Sequence, residues 1–272
     1  MKSASQSSKQ LGRPLGTSRD WRRRLLLHHL PLALASAVLL FLFMGYSSSG
    51  APQLDTTAGS PFPKGAAPMQ HSGGQASGMT MGGGRVLMAR STTATGYVAT
   101  VLLGVTLLIG PANLLLRRRN PVSTSLARDT GTWATIASIV HVILGLQVHG
   151  NASKAFGVVR YFFADGVPRT NSFGLGNWTG LAALVIVAGL FALSNDRSLR
   201  ELKAKRWKNL QRLNYALFVL VVLHAFFYGA LLRMTSLFTL VLIFTVIAVF
   251  VGQAVGIWLY RRRYARLGDA HA

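Results

Sequence analysis

The apolar residues of this chain gather into six long uncharged runs, and polar or basic residues fill the stretches between them. We read the runs as 28–46, 95–116, 132–148, 173–194, 213–232 and 236–260. Each is close to the roughly 20 residues an α-helix needs to cross a hydrocarbon core of about 30 Å. The expected fold is therefore all-α: a polytopic membrane helix bundle of about six transmembrane helices.

Composition narrows this further. The chain has 272 residues, half of them hydrophobic, and only seven acidic residues against 29 Lys and Arg. A soluble domain of this length carries many more acidic groups. The formal charge of +22 raises the question of nucleic acid. The basic residues flank the apolar runs, however, as membrane topology requires, so the expected partner is the lipid bilayer and no nucleic acid. The absence of cysteine excludes disulfides, thiolate metal sites and iron–sulfur clusters. No GxGxxG or P-loop motif occurs, and the spans leave no room for a soluble catalytic domain.

Charge also orients the bundle. Lys and Arg number seven in 1–27, four in 117–131, seven in 195–212 and four in 261–272. The alternate segments hold three in 47–94, three in 149–172 and one in 233–235. Both termini are thus expected to be cytoplasmic. Residues 1–46 read as a basic tail and N-terminal membrane anchor, 95–260 as the bundle and 261–272 as a second basic tail. The flank before the first run is long for a signal peptide and shows no clear cleavage site, which favours an anchor.

Segment 47–94 is rich in Gly, Ser, Pro and Ala, without periodicity, and is expected to be a disordered outer linker. It contains Met69, His71, Met79 and Met81, whose soft donors suit copper. A flexible spacer is the simpler reading, because nothing there sets a geometry. Segment 195–212, "NDRSLRELKAKRWKNLQR", reads as a basic inner loop able to receive an anionic flavin, haem propionates or an acidic partner. Anionic lipid headgroups are the plainer partner for it, and Arg128 shares that ambiguity. No Asp, Glu, Lys or Arg falls within the six runs as drawn, which argues against an ion-coupled transporter.

The candidate chemistry lies in histidine. His28 and His29 sit at the inner mouth of the first run, His71 in the linker and His271 in the tail. His141 lies nine residues into the third run and His224 eleven residues into the fifth. Both runs cross from inside to outside, so at 1.5 Å per residue the two imidazoles differ in depth by only about 3 Å. A haem b iron takes two axial ligands, and facing helices can supply them. Ala134, Ala137, Ser138 and Gly145 around His141 are small enough to leave space, and Leu220, Val221, Phe227 and Tyr228 near His224 can pack on a macrocycle. Two unrelated histidines, each hydrogen-bonded to a neighbouring helix, fit the spacing equally well. His149, eight residues beyond His141, falls about 12 Å higher, at the outer surface.

The segments "GYVATVLLGVTLLIGPANLLLRRR", "LARDTGTWATIASIVHVILG", "GLGNWTGLAALVIVAGLFALSND" and "RWKNLQRLNYALFVLVVLHAFFYG" together resemble the ferric reductase-like transmembrane domain family. The likeness covers about residues 95–232, and the length is nearer to the stand-alone bacterial members. The order that carries it is an Arg-rich inner loop, R-x-x-G, a histidine in the next span, then W-x-x-L-x-R-L-x-Y leading to a second histidine. The resemblance implies a haem-binding bundle in a bacterial inner membrane, with His141 and His224 as the iron ligands. The family's further histidine in W-x-x-L-H-R-L is replaced here by Gln211, a poor iron ligand. One haem is therefore expected rather than two. The implied activity is single-electron transfer toward the outer face, from a cytoplasmic reductase or membrane quinol to an outer acceptor. A non-catalytic membrane scaffold, haem-sensing or assembly protein on the same fold is the alternative.

Overall fold

The computed structural model describes residues 22, 25–48, 78–116, 124–148, 157–230 and 236–269. Six helices in it are long and apolar enough to cross a membrane: Leu25–Tyr46, Val86–Leu115, Ser125–Val148, Ser172–Leu193, Asn209–Phe227 and Leu237–Arg263. The expected polytopic bundle is the observed one. A π-turn at Leu25–His29 opens helix α1, Leu30–Ser48. Then follow α2 (Gly78–Leu115), α3 (Thr124–Val148), α4 (Ser172–Leu193), α5 (Asp196–Gln211), α6 (Leu213–Phe227) and α7 (Leu237–Asp269). Between α3 and α4 the chain forms a minimal hairpin, β1 (Phe163–Ala164) paired antiparallel with β2 (Val167–Pro168). Its turn places Asp165 and Gly166 at φ 51° and 80°, the left-handed pair a tight hairpin turn requires.

Helix α2 is the hub, packed mainly on α3 and α7, and α4 packs mainly on α6. One core cluster gathers Phe43, Tyr97, Ala134 and Phe238 from four helices, with Tyr97 and Phe238 ring centres 4.7 Å apart. A second joins Leu103 and Leu107 of α2 to Val187 of α4, Leu217 and Phe218 of α6 and Val249 of α7. The apolar side chains turned outward, such as Phe41, Val185 and Phe244, are more than half exposed, as a lipid-facing surface demands. Threonine hydroxyls along α2 are satisfied internally. Thr95, Thr100 and Thr106 each donate to the carbonyl four residues back, which removes the cost of a bare donor in lipid.

Three sequence expectations are corrected. The linker assigned to 47–94 is not disordered throughout, because α2 already begins at Gly78. Ser91, Thr92 and Thr93 fold their hydroxyls back onto the preceding turn and extend the helix through polar sequence. Residues 195–212 are not a loop but largely helix α5. Its N-cap is Asn195, whose side chain accepts from the Ser198 amide at 2.7 Å. Trp207 ties α5 to the end of α4 by donating to the Leu193 carbonyl at 3.0 Å. The third span starts near Ser125 rather than 132, so Arg128 and Asp129 lie inside it.

Helix α6 ends in a Schellman motif. The Ala230 amide reaches the Ala225 carbonyl, the Gly229 amide reaches Phe226, and Gly229 takes φ 77°. The stop comes one turn after His224, and it leaves Tyr228 as the capping residue beside that imidazole.

Candidate functional site: two matched histidine seats

His141 on α3 and His224 on α6 meet inside the bundle. Their ring centres are 6.0 Å apart and their planes cross at 85°. Each ring is held by the same device on a neighbouring helix. His141 Nδ1 lies 2.8 Å from the Thr92 carbonyl of α2, and a Cβ at Gly96 would stand 2.9 Å from that same nitrogen. His224 Nδ1 lies 2.8 Å from the Gly176 carbonyl of α4, and a Cβ at Gly180 would stand 2.8 Å from it. In both seats the carbonyl is at position i and the glycine at i+4. That carbonyl already accepts from the helix amide one turn on. The missing side chain at i+4 opens its second lone pair to the imidazole.

The chemistry follows from the acceptors. A carbonyl only accepts, so each Nδ1 carries the proton and each Nε2 keeps its lone pair for a metal. Such a hydrogen bond fixes tautomer and ring orientation and raises ligand basicity. Metal–imidazole bonds of about 2 Å, with ring centres about 1 Å behind the nitrogens, place two axial rings roughly 6 Å apart. The observed centre-to-centre spacing is of that size. Among the described residues no three His, Asp or Glu side chains are grouped to hold a metal ion.

Residues 95–222 match the family model described as Ferric reductase like transmembrane component. This segment is a ferric reductase-like transmembrane domain. No curated protein and no solved structure matches the chain. The match takes in His141, Gly96, Gly176 and Gly180, but begins three residues after Thr92 and stops two residues short of His224. What joins His224 to the ferric reductase-like domain is therefore the geometry above.

The other sequence candidates are placed differently. His71, Met69, His149 and His271 lie outside the described residues, as do the side chains of Met79 and Met81. Gln211 closes α5, and its side-chain oxygen accepts from Asn214 at 3.1 Å. His28 and His29, at the inner mouth of the first run, converge on Asp129. His28 Nδ1 is 2.7 Å from one carboxylate oxygen, and His29 Nε2 is 3.7 Å from the other. Trp133 donates its indole N–H to His29 Nδ1 at 3.4 Å, which leaves the His29 proton on the nitrogen turned to Asp129. Asp129 itself is 2% exposed. A carboxylate this deep in a membrane helix needs partners, and these pin the first span to α3. Sequence reading passed over Asp129 because the hydrophobic run begins three residues after it. The glycines at 96 and 180 left a trace as small residues four apart from Thr92 and Gly176, a pattern common at any membrane helix contact.

Proposed function

We propose that this integral membrane protein binds one haem b between His141 and His224 and passes single electrons toward the outer face of the membrane. The observation that carries the reading is the pair of matched seats, which hold each Nδ1 on a carbonyl and set the two ring centres at a spacing suited to one iron. The haem, when bound, supplies the one-electron couple. The chain's own residues do the rest. The carbonyls of Thr92 and Gly176 hold the two imidazoles in the ligating tautomer. Leu217 and Phe218, both nearly fully buried one to two turns before His224, keep water from its inner side. The basic inner segments orient both termini to the cytoplasm, in a bacterial inner membrane. The donor on that side is a separate cytoplasmic reductase or a membrane quinol, and the acceptor lies outside.

Gln211 favours a second reading. It stands 13 residues before His224, at the inner end of α6, with its oxygen engaged by Asn214. A carboxamide there offers no inner iron ligand, so the path across the full membrane is shortened. A haem-binding scaffold, sensor or assembly protein needs no such path. Reduced-minus-oxidised spectra of membranes test for haem b, and reduction of an outer acceptor by those membranes separates electron carrier from scaffold. Membranes with adequate haem supply and no b-type absorbance overturn both readings.

A further inference from the structure

The seat of His224 has a part that His141 lacks. Tyr228, one turn beyond His224, lays its ring 4.9 Å from the imidazole centre at an angle of 48°. Its hydroxyl donates to Asn177 Oδ1 at 2.7 Å. Asn177 has no freedom to turn away. Its amide nitrogen donates to the Phe173 carbonyl at 2.9 Å and to the Tyr161 carbonyl at 3.2 Å, so its oxygen must face Tyr228. Asn177 follows Gly176, the residue whose carbonyl holds His224. Gly176 also makes room for the tyrosine, since a Cβ there would stand 2.6 Å from Tyr228 Cε2. Two adjacent residues of α4 thus grip two α6 positions one turn apart. One grip is on the imidazole and the other on the ring that leans against it.

We propose that Asn177 and Tyr228 are positioning residues for His224, fixing the rotation of its imidazole about the iron bond and closing that ligand to outside molecules. This rests on the haem reading above. The imidazole is tethered at one atom, Nδ1, and a single hydrogen bond leaves a ring free to rock about it. The Tyr228 ring packed beside the imidazole limits that motion, and the Gly180 backbone comes close to Nδ1 and Cε1. The tyrosine serves only while it is held, and Asn177 holds it. Groups hydrogen-bonded to a metal ligand commonly matter at about 10–100-fold in affinity, and Tyr228 and Asn177 act one contact further out.

The test compares purified full-length protein, loaded with haem, with Tyr228→Phe, Asn177→Leu and the double variant. Three readouts apply: haem affinity, the ferric low-spin paramagnetic resonance signal, and carbon monoxide uptake by the ferrous form. Each single variant should bind haem about tenfold more weakly, the low end of that range. The haem it retains should show a shifted, broadened low-spin signal and take up carbon monoxide, which the wild type should not. The double variant should match the single ones, because all three lose the same bond. Gly176→Ala, which displaces the Tyr228 ring but keeps the carbonyl, should give the same spectral change. Tyr228→Phe removes one oxygen atom only and decides the matter if Asn177→Leu fails to insert. A Tyr228→Phe protein whose retained haem keeps the wild-type signal and refuses carbon monoxide overturns the proposal and leaves Tyr228 a packing residue. Wild-type protein without haem overturns the proposed function itself.

Discussion

Gly180→Ala puts the His224 seat under direct strain. The new methyl group would stand 2.8 Å from Nδ1 and 2.9 Å from Cε1 of the imidazole, where ordinary contact begins near 3.4 Å. The ring must withdraw, and withdrawal stretches the 2.8 Å bond to the Gly176 carbonyl. Losing that bond costs about 0.5–1.5 kcal/mol. Overpacking of a tight contact costs about 1–3 kcal/mol more. The helix itself gains up to about 1 kcal/mol from replacing glycine. Together these give roughly 1–3 kcal/mol against the ligating position, or about 5- to 150-fold in haem affinity. The protein without haem should suffer less, because no iron bond then holds its imidazole against the new methyl group. Haem titration of purified protein reads the affinity, and thermal unfolding of the haem-free form reads the fold. Gly189→Ala on the same helix is the control, since nothing lies within 4 Å of a Cβ there. Unchanged haem affinity in Gly180→Ala would refute the seat as a ligand-placing device. Equal losses in both variants would point to the helix rather than the imidazole.

Reporter fusions after residues 160 and 60 should report the outer side, and those after 120, 205 and 270 the inner side; an inner signal at 160 breaks the parallel pairing of α3 and α6. Asp129→Asn should loosen the first span from α3, with a loss of about 1–3 kcal/mol for the buried groups left poorly paired, read as a lower unfolding midpoint in detergent with haem affinity changed far less than in Gly180→Ala. Gln211→His should not add a second haem, because α3 carries Arg128 rather than a histidine 13 positions before His141, and the nearby His28 and His29 are engaged with Asp129; a second equivalent of haem in that variant would show that another side chain supplies the inner ligand.

The six spans were legible because lipid imposes a length and an apolar composition that a sequence displays openly. Their ends were not. Thr92 and Thr93 look like linker, yet a hydroxyl folded onto its own helix costs little. Asp129 looks like a boundary, yet histidines 101 and 100 positions away in sequence bring it into the bundle. Depth arithmetic placed His141 and His224 at one level, since both lie on helices running the same way. It said nothing of which way the rings turn. That depends on Gly96 and Gly180, whose contribution is an absent side chain, and on backbone carbonyls, which every residue possesses. Tyr228 was visible as an aromatic near His224. Its tether was not, because Asn177 stands 51 positions away on another helix.

Counting haem per polypeptide in purified wild-type, His141→Ala and His224→Ala proteins tests the central claim most directly. The two-seat account predicts one haem in the wild type, with a six-coordinate low-spin spectrum, and little or none in either variant although both still insert into the membrane. His29→Ala, which lies outside the pair, should keep the wild-type count. Full haem loading in either His141→Ala or His224→Ala would contradict the account.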